Sequence, residues 1–318
     1  MSADPFSDVL ALADARSVVS GGFEAGGRWA IRFPVPDKIK FFGVVRGACW
    51  LRMPGAKAPV ALEPGDVFLP WQVSFLLAND LKARPVDARD VFPPGASTFA
   101  KLGDGESFLI LGGHVRVDAV GRAVLGEALP PLIHVRAGSR DASVVQWILE
   151  QLAGERSMPR PGASIASAQL AQLMFVHLLR AQLDTAGPMR TGWLRAASDK
   201  RLAPALRLMH AEPARSWQLT ELAKAAAMSR TTFAEHFRAV AGVAPLAYLT
   251  QWRMRLAQRA LRESEPPVSV LAHELGYASE SAFSTAFKRE VGIAPKHYRS
   301  SLLRGPSDRV ELDERGQL

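Results

Sequence analysis

The chain has 318 residues, of which 48% are hydrophobic and 22% charged, and its formal net charge is +8. This length suffices for two domains with separate hydrophobic cores. The single cysteine, Cys49, excludes an intrachain disulfide framework, and the first residues lack the basic and apolar stretches of a secretory signal. No apolar run reaches the roughly 18 residues that a membrane span needs. These features predict a soluble cytoplasmic protein without a membrane partner.

The positive charge is concentrated towards the C-terminus. Residues 199–300 contain 15 Lys and Arg but only 9 Asp and Glu. A basic region favours a polyanionic partner, because each cation that contacts a phosphate releases condensed counterions. Charge alone leaves a second interpretation open, namely an ordinary solvated basic surface.

Residues 29–120 consist of short apolar runs separated by turn-forming Gly, Pro and Asp. The runs recur about every ten residues, which predicts an all-β sandwich or barrel. The predicted strands are IKFFGVV (39–45), ACWLRM (48–53), PVAL (59–62), DVFLP (66–70) and FLIL (108–111).

Beyond residue 140 the apolar residues follow helical spacing. Helices are predicted over 143–155 and 166–184, with a loop at 156–164, and the chain is expected to stay helical from about 189 to 302. The second helix carries a stripe that consists of Leu170, Leu173, Met174 and His177. This stripe could pack on the β domain of its own chain or against a second subunit.

One internal repeat stands out in the helical region. MSRTTFAEHFRAVAGVAPLAY (228–248) aligns with ASESAFSTAFKREVGIAPKHY (278–298) at a constant offset of 50, with 7 of 21 positions identical. Each copy follows a short predicted helix, 220–227 or 269–276, and the second copy has one extra residue at the turn. A long helix over 247–264 is expected to hold the copies apart. The identical pairs are Ser229/Ser279, Phe233/Phe283, Phe237/Phe287, Gly242/Gly292, Ala244/Ala294, Pro245/Pro295 and Tyr248/Tyr298.

These identities describe a helix-turn-helix. The serine stands at a helix N-cap, and the two phenylalanines, four residues apart, would fix one helix face to the core. The glycine ends the helix and the proline prevents its continuation. The opposite face is polar and partly basic, as a helix in a major groove requires. That face carries Arg230, Thr231, Ala234, Glu235 and Arg238 in the first copy, and Glu280, Ser281, Ser284, Thr285, Lys288 and Arg289 in the second. The alternative is that two similar helical hairpins merely stack.

Over residues 200–300 the chain resembles the AraC/XylS family of bacterial transcription regulators. The matching stretches are LTELAKAAAMSRTTFAEHFRAVAGVAPLAYL, WRMRLAQRAL and VLAHELGYASESAFSTAFKREVGIAPKHYR. Upstream, FFGVVRGACWLRMPGAKAPVALEPGDVFLP and the glycine pair of GGHVRVD are similar to the subgroup with a cupin-type N-terminal domain. The resemblance implies an α+β protein, with a cupin-like β-barrel and following helices, and then an all-α domain of two helix-turn-helix units joined by a long helix. The implied domains are 1–190 and 191–302, followed by a polar tail, 303–318, that is expected to be disordered.

The resemblance also implies roles for the outward-facing residues. Phosphate contacts would fall on Arg238, Lys288 and Arg289. Base reading would fall on Arg230, Thr231, Ala234, Glu235, Glu280, Ser281 and Thr285. Ala234 is too small to hydrogen-bond a base edge, and both glutamates would repel phosphate unless paired or directed at a cytosine amine. The operator sequence therefore cannot be deduced by analogy.

For the N-terminal domain the sequence leaves open an enzyme, a small-molecule sensor, or a purely structural or dimerising module. Metal-binding cupins use two or three histidines and a carboxylate, yet no histidine precedes His114, and His114 and His134 are interpreted as structural residues. We therefore expect no metal, no cofactor and no catalysis, and the disfavoured alternative is a metal-dependent cupin enzyme fused to a DNA-binding domain. The expected partners are double-stranded DNA, a small-molecule effector, RNA polymerase and a second subunit. The aromatic residues that could line an effector cavity are Trp29, Phe41, Phe42, Trp50 and Trp71.

Overall fold

A computed structural model describes residues 4–93, 98–139, 142–158, 160–184, 191–263 and 266–303. Its contacts divide the chain into two compact units. The first, here called the β unit, lies between residues 14 and 190. The second, the helical unit, combines the N-terminal helix α1 (Pro5–Leu12) with residues from 191 onwards. None of the helices in these described ranges is long and apolar enough to cross a membrane.

The β unit is built from two sheets. Its strands are β1 (Arg16–Ala25), β2 (Ala30–Phe33), β3 (Ile39–Arg46), β4 (Cys49–Arg52), β5 (Val60–Leu62), β6 (Val67–Pro70), β7 (Phe75–Ala78), β8 (Val86–Asp87), β9 (Phe99–Leu102), β10 (Phe108–Arg116) and β11 (Leu132–Val135). One sheet has the order β11-β6-β3-β10-β1-β9 and the other β5-β4-β7-β2-β8. Most neighbours are antiparallel, whereas β9 runs parallel to β1 and β8 parallel to β2.

Aromatic side chains fill the interior of the β unit. Trp29 packs on Phe23 and Phe108 with ring centroids 5.2 and 4.7 Å apart, and Phe33 stacks on Phe75 at 4.7 Å. These residues share one apolar cluster with Phe42 and others from both sheets. Because alternate residues of a strand point to opposite faces, each strand contributes every second side chain to this core.

Helices cover the outer face of the first sheet. The β unit contains α2 (Ala88–Val91), α3 (Ala119–Ala128), α4 (Ala142–Ser157) and α5 (Ala163–Asp184). Helices α4 and α5 pack on each other, α4 on β3 and α5 on β1. Glycine makes this possible at Gly43 on β3, where a Cβ would collide with the side chain of Leu149 on α4.

The predicted strands are all present, as β3, β4, β5, β6 and β10, but the sheet is larger than expected. Strand β1 precedes the predicted β region and β11 follows it. The stripe expected on α5 is displaced, because the buried face contains Phe175 and Leu178 beside Met174, whereas Leu173 is 39% exposed. Both helices lie close to their predicted ranges.

The helical unit contains two similar halves joined by one long helix. After α1 its helices are α6 (Trp193–Ser198), α7 (Ala203–Ala211), α8 (Leu219–Ala225), α9 (Arg230–Ala241), α10 (Pro245–Glu263), α11 (Val268–Glu274), α12 (Glu280–Val291) and α13 (Pro295–Leu303). The predicted long helix is α10, which contacts α9 in one half and α12 in the other. The predicted tail lies outside the described residues from 304 onwards.

The repeat folds with the same caps in both copies. Ser229 Oγ accepts a hydrogen bond from the Thr232 amide at 3.1 Å, and Ser279 Oγ accepts one from the Ala282 amide at the same distance. The helices end at Gly242, with φ +79°, where glycine avoids the steric cost of left-handed backbone, and equivalently in the second copy.

The turn before each repeated helix also has one geometry. Ala227 and Gly276 occupy the left-handed region at φ +53° and +77°. The amide that follows each of them donates back into the preceding helix, from Met228 and from Tyr277. The extra residue of the second copy is therefore Ala278, which lies after the shared turn and before the N-cap.

Helix α1 packs with the helical unit. From sequence, residues 1–190 are expected to form the first domain, whereas the contacts group residues 4–13 with α6, α7 and α10. The physical reason is the amphipathic face of α1, whose buried residues are Pro5, Phe6, Asp8, Val9 and Leu12. The ring of Phe6 lies 6.5 Å from that of Trp193.

A buried polar cluster links α1 to the core of the first half. His210 of α7 is fully buried, with Nδ1 3.3 Å from Asp8 Oδ2 and Nε2 2.9 Å from the Tyr248 hydroxyl. A neutral imidazole satisfies both partners when Nδ1–H donates to the carboxylate and the tyrosine O–H donates to Nε2. The same ring stacks on Trp252 at 3.9 Å.

We expect the buried phenylalanines to dominate the stability of each half. Phe237 and Phe287 are 0% exposed, so Phe237→Ala and Phe287→Ala should each lower the free energy of unfolding by about 3–5 kcal/mol, through lost burial and a residual cavity. Urea unfolding of the full chain measures this. The exposed controls Thr231→Ala and Thr285→Ala should stay within about 0.5 kcal/mol of the parent. Unchanged stability in both phenylalanine variants would contradict this assignment of helix faces.

We also expect acid to destabilise the helical unit through His210. Burial, and then repulsion from Arg255, lower the pKa of His210 to about 3, against about 6.5 in an unfolded chain. Between these values the unfolded chain binds the additional proton, so stability is full above the unfolded pKa and declines as pH falls below it. Urea unfolding at several pH values between about 7 and 4 measures the slope of the unfolding free energy against pH.

The matched variants are His210→Gln and, for the exposed His273, His273→Gln. His210→Gln should flatten the fall in unfolding free energy with pH, although it lowers stability at neutral pH. His273→Gln should leave the slope as it is. Equal slopes for the parent and His210→Gln would show that His210 does not carry this pH dependence.

Candidate nucleic-acid interface

Helices α9 and α12 present equivalent polar faces to solvent. Most of the predicted DNA-contacting side chains are exposed, and the remainder are half-buried. The exposed ones are Arg230, Thr231, Glu235, Arg238, Ser281, Thr285, Lys288 and Arg289, and the half-buried ones are Ala234, Glu280 and Ser284. The structure therefore gathers each predicted set on one helix surface.

Paired aromatic rings fix the opposite face of each helix. Phe233 and Phe237 are both 0% exposed, with centroids 5.6 Å apart, and Tyr248 packs 5.5 Å from Phe237. Phe283 and Phe287 repeat this arrangement at 5.7 Å, with a tyrosine again 5.6 Å from the second ring. Burial of the phenylalanines is confirmed, and it determines which side chains of α9 and α12 point outwards.

The charges on the two faces are not equally free. In the described residues Arg230, Arg238 and Lys288 form no ion pair with a carboxylate, so they remain available to an anion. Arg289 lies 3.1 Å from its neighbour Glu290. Lys288 is thus the better placed cation of the basic pair on α12.

The two glutamates on the polar faces of α9 and α12 also differ in whether a cation neutralises them. Glu280 forms an ion pair with Lys296 at 3.5 Å, which offsets its repulsion of phosphate. Glu235 is exposed and has no cationic partner within the described ranges. Glu235 is therefore the residue whose carboxylate is free to accept from a cytosine amine.

A histidine that the sequence analysis left unassigned anchors α9. His236 Nε2 lies 2.8 Å from Asp199 Oδ2, at the C-terminal end of α6. The contact fixes α9 against the end of α6. No local sequence signal identifies it, because the partners are 37 residues apart.

Arg253 joins the two halves of the helical unit. Its Nε donates to the Pro213 carbonyl of the α7–α8 loop, and its guanidinium lies 5.7 Å from the ring centre of Tyr277 in the second half. Burial lowers the pKa of Arg253, opposed by the adjacent tyrosine. The loop approaches the second half again at Gly276, where a Cβ would collide with the Ala214 carbonyl.

The aromatic residues expected to line an effector cavity do not come together. Trp29 and Phe42 belong to the filled interior, whereas Phe41 faces Leu149 of α4 across a narrow apolar gap. Trp50 is 39% exposed on β4. Trp71 is buried at another place, where its Nε1 donates to the Gly126 carbonyl at 3.1 Å.

The histidines and the cysteine of the β unit have identifiable surroundings. Asp66 accepts hydrogen bonds from His134 at 2.9 Å and from the Ala137 amide at 2.7 Å. Burial opposes ionisation of Asp66, but these hydrogen bonds outweigh it and lower its pKa. Burial, and then the Asp66 carboxylate, raise the pKa of Cys49 to about 12. His134 thus ties β11 to the turn before β6, and Cys49 stays a protonated core residue.

Comparison with known proteins agrees with this architecture. A family model described as a cupin matches residues 4–184, and one described as a helix-turn-helix domain matches residues 222–301. An AraC-like transcription regulator of Streptomyces antibioticus is 41% identical over 297 residues, covering 93% of this chain and 98% of the relative. The HTH-type transcriptional regulator AlkR of Acinetobacter baylyi is 30% identical over 284 residues, covering 86% and 91%.

Among solved structures, the DNA-binding domain of AdpA in complex with a target DNA is 33% identical. The match covers 32% of this chain and 91% of that one, with a TM-score of 0.30.

A cupin-type β domain followed by paired helix-turn-helix motifs defines a class of DNA-binding transcription regulators. The cupin match spans more than half of the chain, and the named relatives are matched over most of their length. The chain belongs to the AraC/XylS family of transcription regulators with a cupin-type N-terminal domain. The predicted family, fold class and regulatory function are confirmed.

Proposed function

We propose that this regulator reads its operator with α9 and α12, each in one of two adjacent major grooves. The observation that carries the proposal is the duplicated outward face, which has the same buried backing in both copies. Residues 191–302 act as the DNA-binding domain, and α1 completes its core. As a regulator that binds DNA, the protein is proposed to work in the cytoplasm, and RNA polymerase is proposed as a further partner.

The side chains of the two faces divide into two kinds of DNA contact. Arg238, Lys288 and Arg289 bind phosphates, which supplies affinity without sequence preference. The base-reading residues are Arg230, Thr231, Ala234, Glu235, Glu280, Ser281, Ser284 and Thr285. The serine and threonine hydroxyl groups can donate hydrogen bonds to base edges or accept them, and an arginine can donate to guanine. Ala234 can make only an apolar contact, for example with the methyl group of a thymine.

We infer that the β unit binds an effector and catalyses no reaction. A metal-dependent cupin draws two or three histidines and a carboxylate together. Within the described residues no three His, Cys, Asp or Glu side chains approach each other closely enough to hold a metal ion.

A second copy of the chain is proposed as a further partner. Exposed apolar side chains lie on α4 and α5, and they include Val144, Trp147, Ile165 and Leu173. Trp147 is 51% exposed and stands one turn from Val144. Aromatic side chains of this kind are enriched in protein interfaces. Of the stripe first predicted for dimerisation, Met174 is buried in its own subunit, so Trp147 is the better anchor.

The DNA-binding proposal predicts two distinguishable kinds of variant. Operator duplexes are first selected from a random pool with the full chain, and affinity is then measured by fluorescence anisotropy at several salt concentrations. Lys288→Ala should weaken binding to all sequences and reduce the salt slope by about 1. Thr231→Ala and Thr285→Ala should each cost about 1–3 kcal/mol, and each should alter preference in a different half of the operator.

The matched control for charge is Lys57→Ala, an exposed lysine of the β unit, which should leave the affinity and the salt slope unchanged. Dimethyl sulfate footprinting reports which major grooves are occupied, because the reagent methylates guanine N7 in that groove. Protection of a single major groove would contradict the two-headed arrangement. A folded chain that retains no duplex from the random pool at low salt would disprove the regulator function itself.

The dimer proposal predicts that Trp147→Ser weakens self-association about tenfold or more, because interface aromatic residues carry much of the binding energy. Sedimentation equilibrium of the full chain measures the dissociation constant. Trp50→Ser is the control, since this tryptophan is similarly exposed on β4, in the opposite sheet. A monomeric parent, or equal dissociation constants for the parent and Trp147→Ser, would refute this interface.

A further inference from the structure

A cavity of the β unit lies where β3 begins and β10 ends, beside α3. Its volume is about 260 Å³, close to the lower end of the range found for small-molecule sites. It lies apart from the aromatic interior, which side chains fill. The lining residues that matter for binding are Asp37, Lys38, Trp71, His114, Arg116 and Arg122.

Positive charge dominates the wall of this cavity. Lys38, Arg116 and Arg122 line it against a single carboxylate, that of Asp37. Across the described part of the chain, no ion pair within 4.0 Å neutralises any of these three cations. Arg122 donates instead to the backbone carbonyl of Asp37, at 3.2 Å, which orients its guanidinium without cancelling its charge. A concave surface lined in this way attracts anions.

The pKa of His114, on β10, is affected by the same positive charges. His114 is half-buried, and burial, followed by repulsion from Lys38, Lys40 and Arg116, lowers its pKa. The imidazole is therefore neutral near pH 7 and can donate a hydrogen bond to an oxygen ligand without adding charge. The described residues offer its ring nitrogens no hydrogen-bond partner.

Trp71 supplies a rigid apolar surface in the same cavity. It is 6% exposed, and the hydrogen bond from Nε1 to the Gly126 carbonyl holds its ring in place. An aromatic ring offers a large apolar contact area. Because the Nε1–H of Trp71 already donates a hydrogen bond, the ring can offer a ligand only apolar contacts. The cavity thus combines cations with one aromatic wall.

We propose that this cavity binds a small organic anion, with its carboxylate or phosphate on Arg116 and Arg122 and its apolar part on Trp71. The proposal deepens the proposed function, on which it rests, by assigning the effector site and the chemical class of effector. Two planar guanidinium groups suit the paired oxygens of such anions. The small volume limits the ligand to about the size of a single substituted ring.

The position of Arg116 gives the site a route to the DNA-binding unit. In the sheet, Arg116 is the register partner of Arg16, the first residue of β1. Only three residues separate Arg16 from α1, which packs in the helical unit. A ligand bound to Arg116 therefore lies beside the end of β1 that is connected to α1 by three residues.

The test titrates the full chain with benzoate, with inorganic phosphate and with neutral benzamide, by isothermal titration calorimetry at millimolar ligand. Benzoate should bind in preference to benzamide. Arg116→Gln and Arg122→Gln should each weaken that binding about tenfold or more, the loss expected for a charge-assisted hydrogen bond. Arg52→Gln, an exposed strand arginine outside the cavity, should bind as the parent does. Phosphate bound more tightly than benzoate, and lost in the same variants, would identify a phosphate ester as the class.

Two results would overturn the proposal. One is that neither anion binds the parent chain, and the other is that binding is equal in the parent and both cavity variants. Operator affinity is measured in parallel, with and without the bound anion. Unchanged operator affinity would leave an anion site but refute its role as the effector site. Because the anion-free chain should bind its operator in every case, loss of that binding would indicate failure of the proposed function instead.

Discussion

The packed connection between the two helix-turn-helix units is the constraint on which the proposed mode of DNA recognition depends. Two reading helices can enter adjacent major grooves only if their separation and orientation are fixed, since the grooves recur about every 34 Å. Helix α10 has 19 residues and is therefore roughly 28 Å long. Its buried residue Trp252 belongs to the first half and Met254 to the second, and Arg253 between them contacts both. The orientation of the halves is thus set by packing as well as by the length of the helix.

The core of the first half is built from both ends of the sequence. Asp8 of α1 meets His210 of α7, which meets Tyr248 of α10. Tyr248 also packs against Phe237 of the first reading helix. A change in the packing of α1 therefore reaches α9 through three successive side-chain contacts. Because these contacts join residues far apart in sequence, their formation costs more loop entropy than the local contacts within each helical repeat do.

The sequence predicts those features whose cause is local. Alternation and turn residues identify β3, β4, β5, β6 and β10, and the repeated Ser, Phe and Gly positions identify both reading helices and their outward faces. The position of α1 escapes this reasoning, because its amphipathic face does not state which unit it covers. The same holds for the contact of His236 with Asp199 and for the cavity at Arg116, which the topology of β3, β10 and α3 creates. On α5, helical spacing predicts the helix correctly but not which face is buried. Apolar residues occur on more than one face of this helix, so the spacing alone does not identify the buried one.

The chain passes between the two units at two places, and these connections bear on the proposed effector response. One crossing is the short link between Leu12 and Arg16, which contains three residues and spans at most about 10–14 Å when extended. Asp14 within it has φ +43°, a conformation that costs a non-glycine residue energy and is kept only where the surroundings enforce it. Strand β1 pairs with β10 along its whole length, so β1 cannot shift alone. In the effector response proposed above, a ligand that moves the β10 edge also displaces β1, and the three-residue link is the shortest covalent path from that strand to α1.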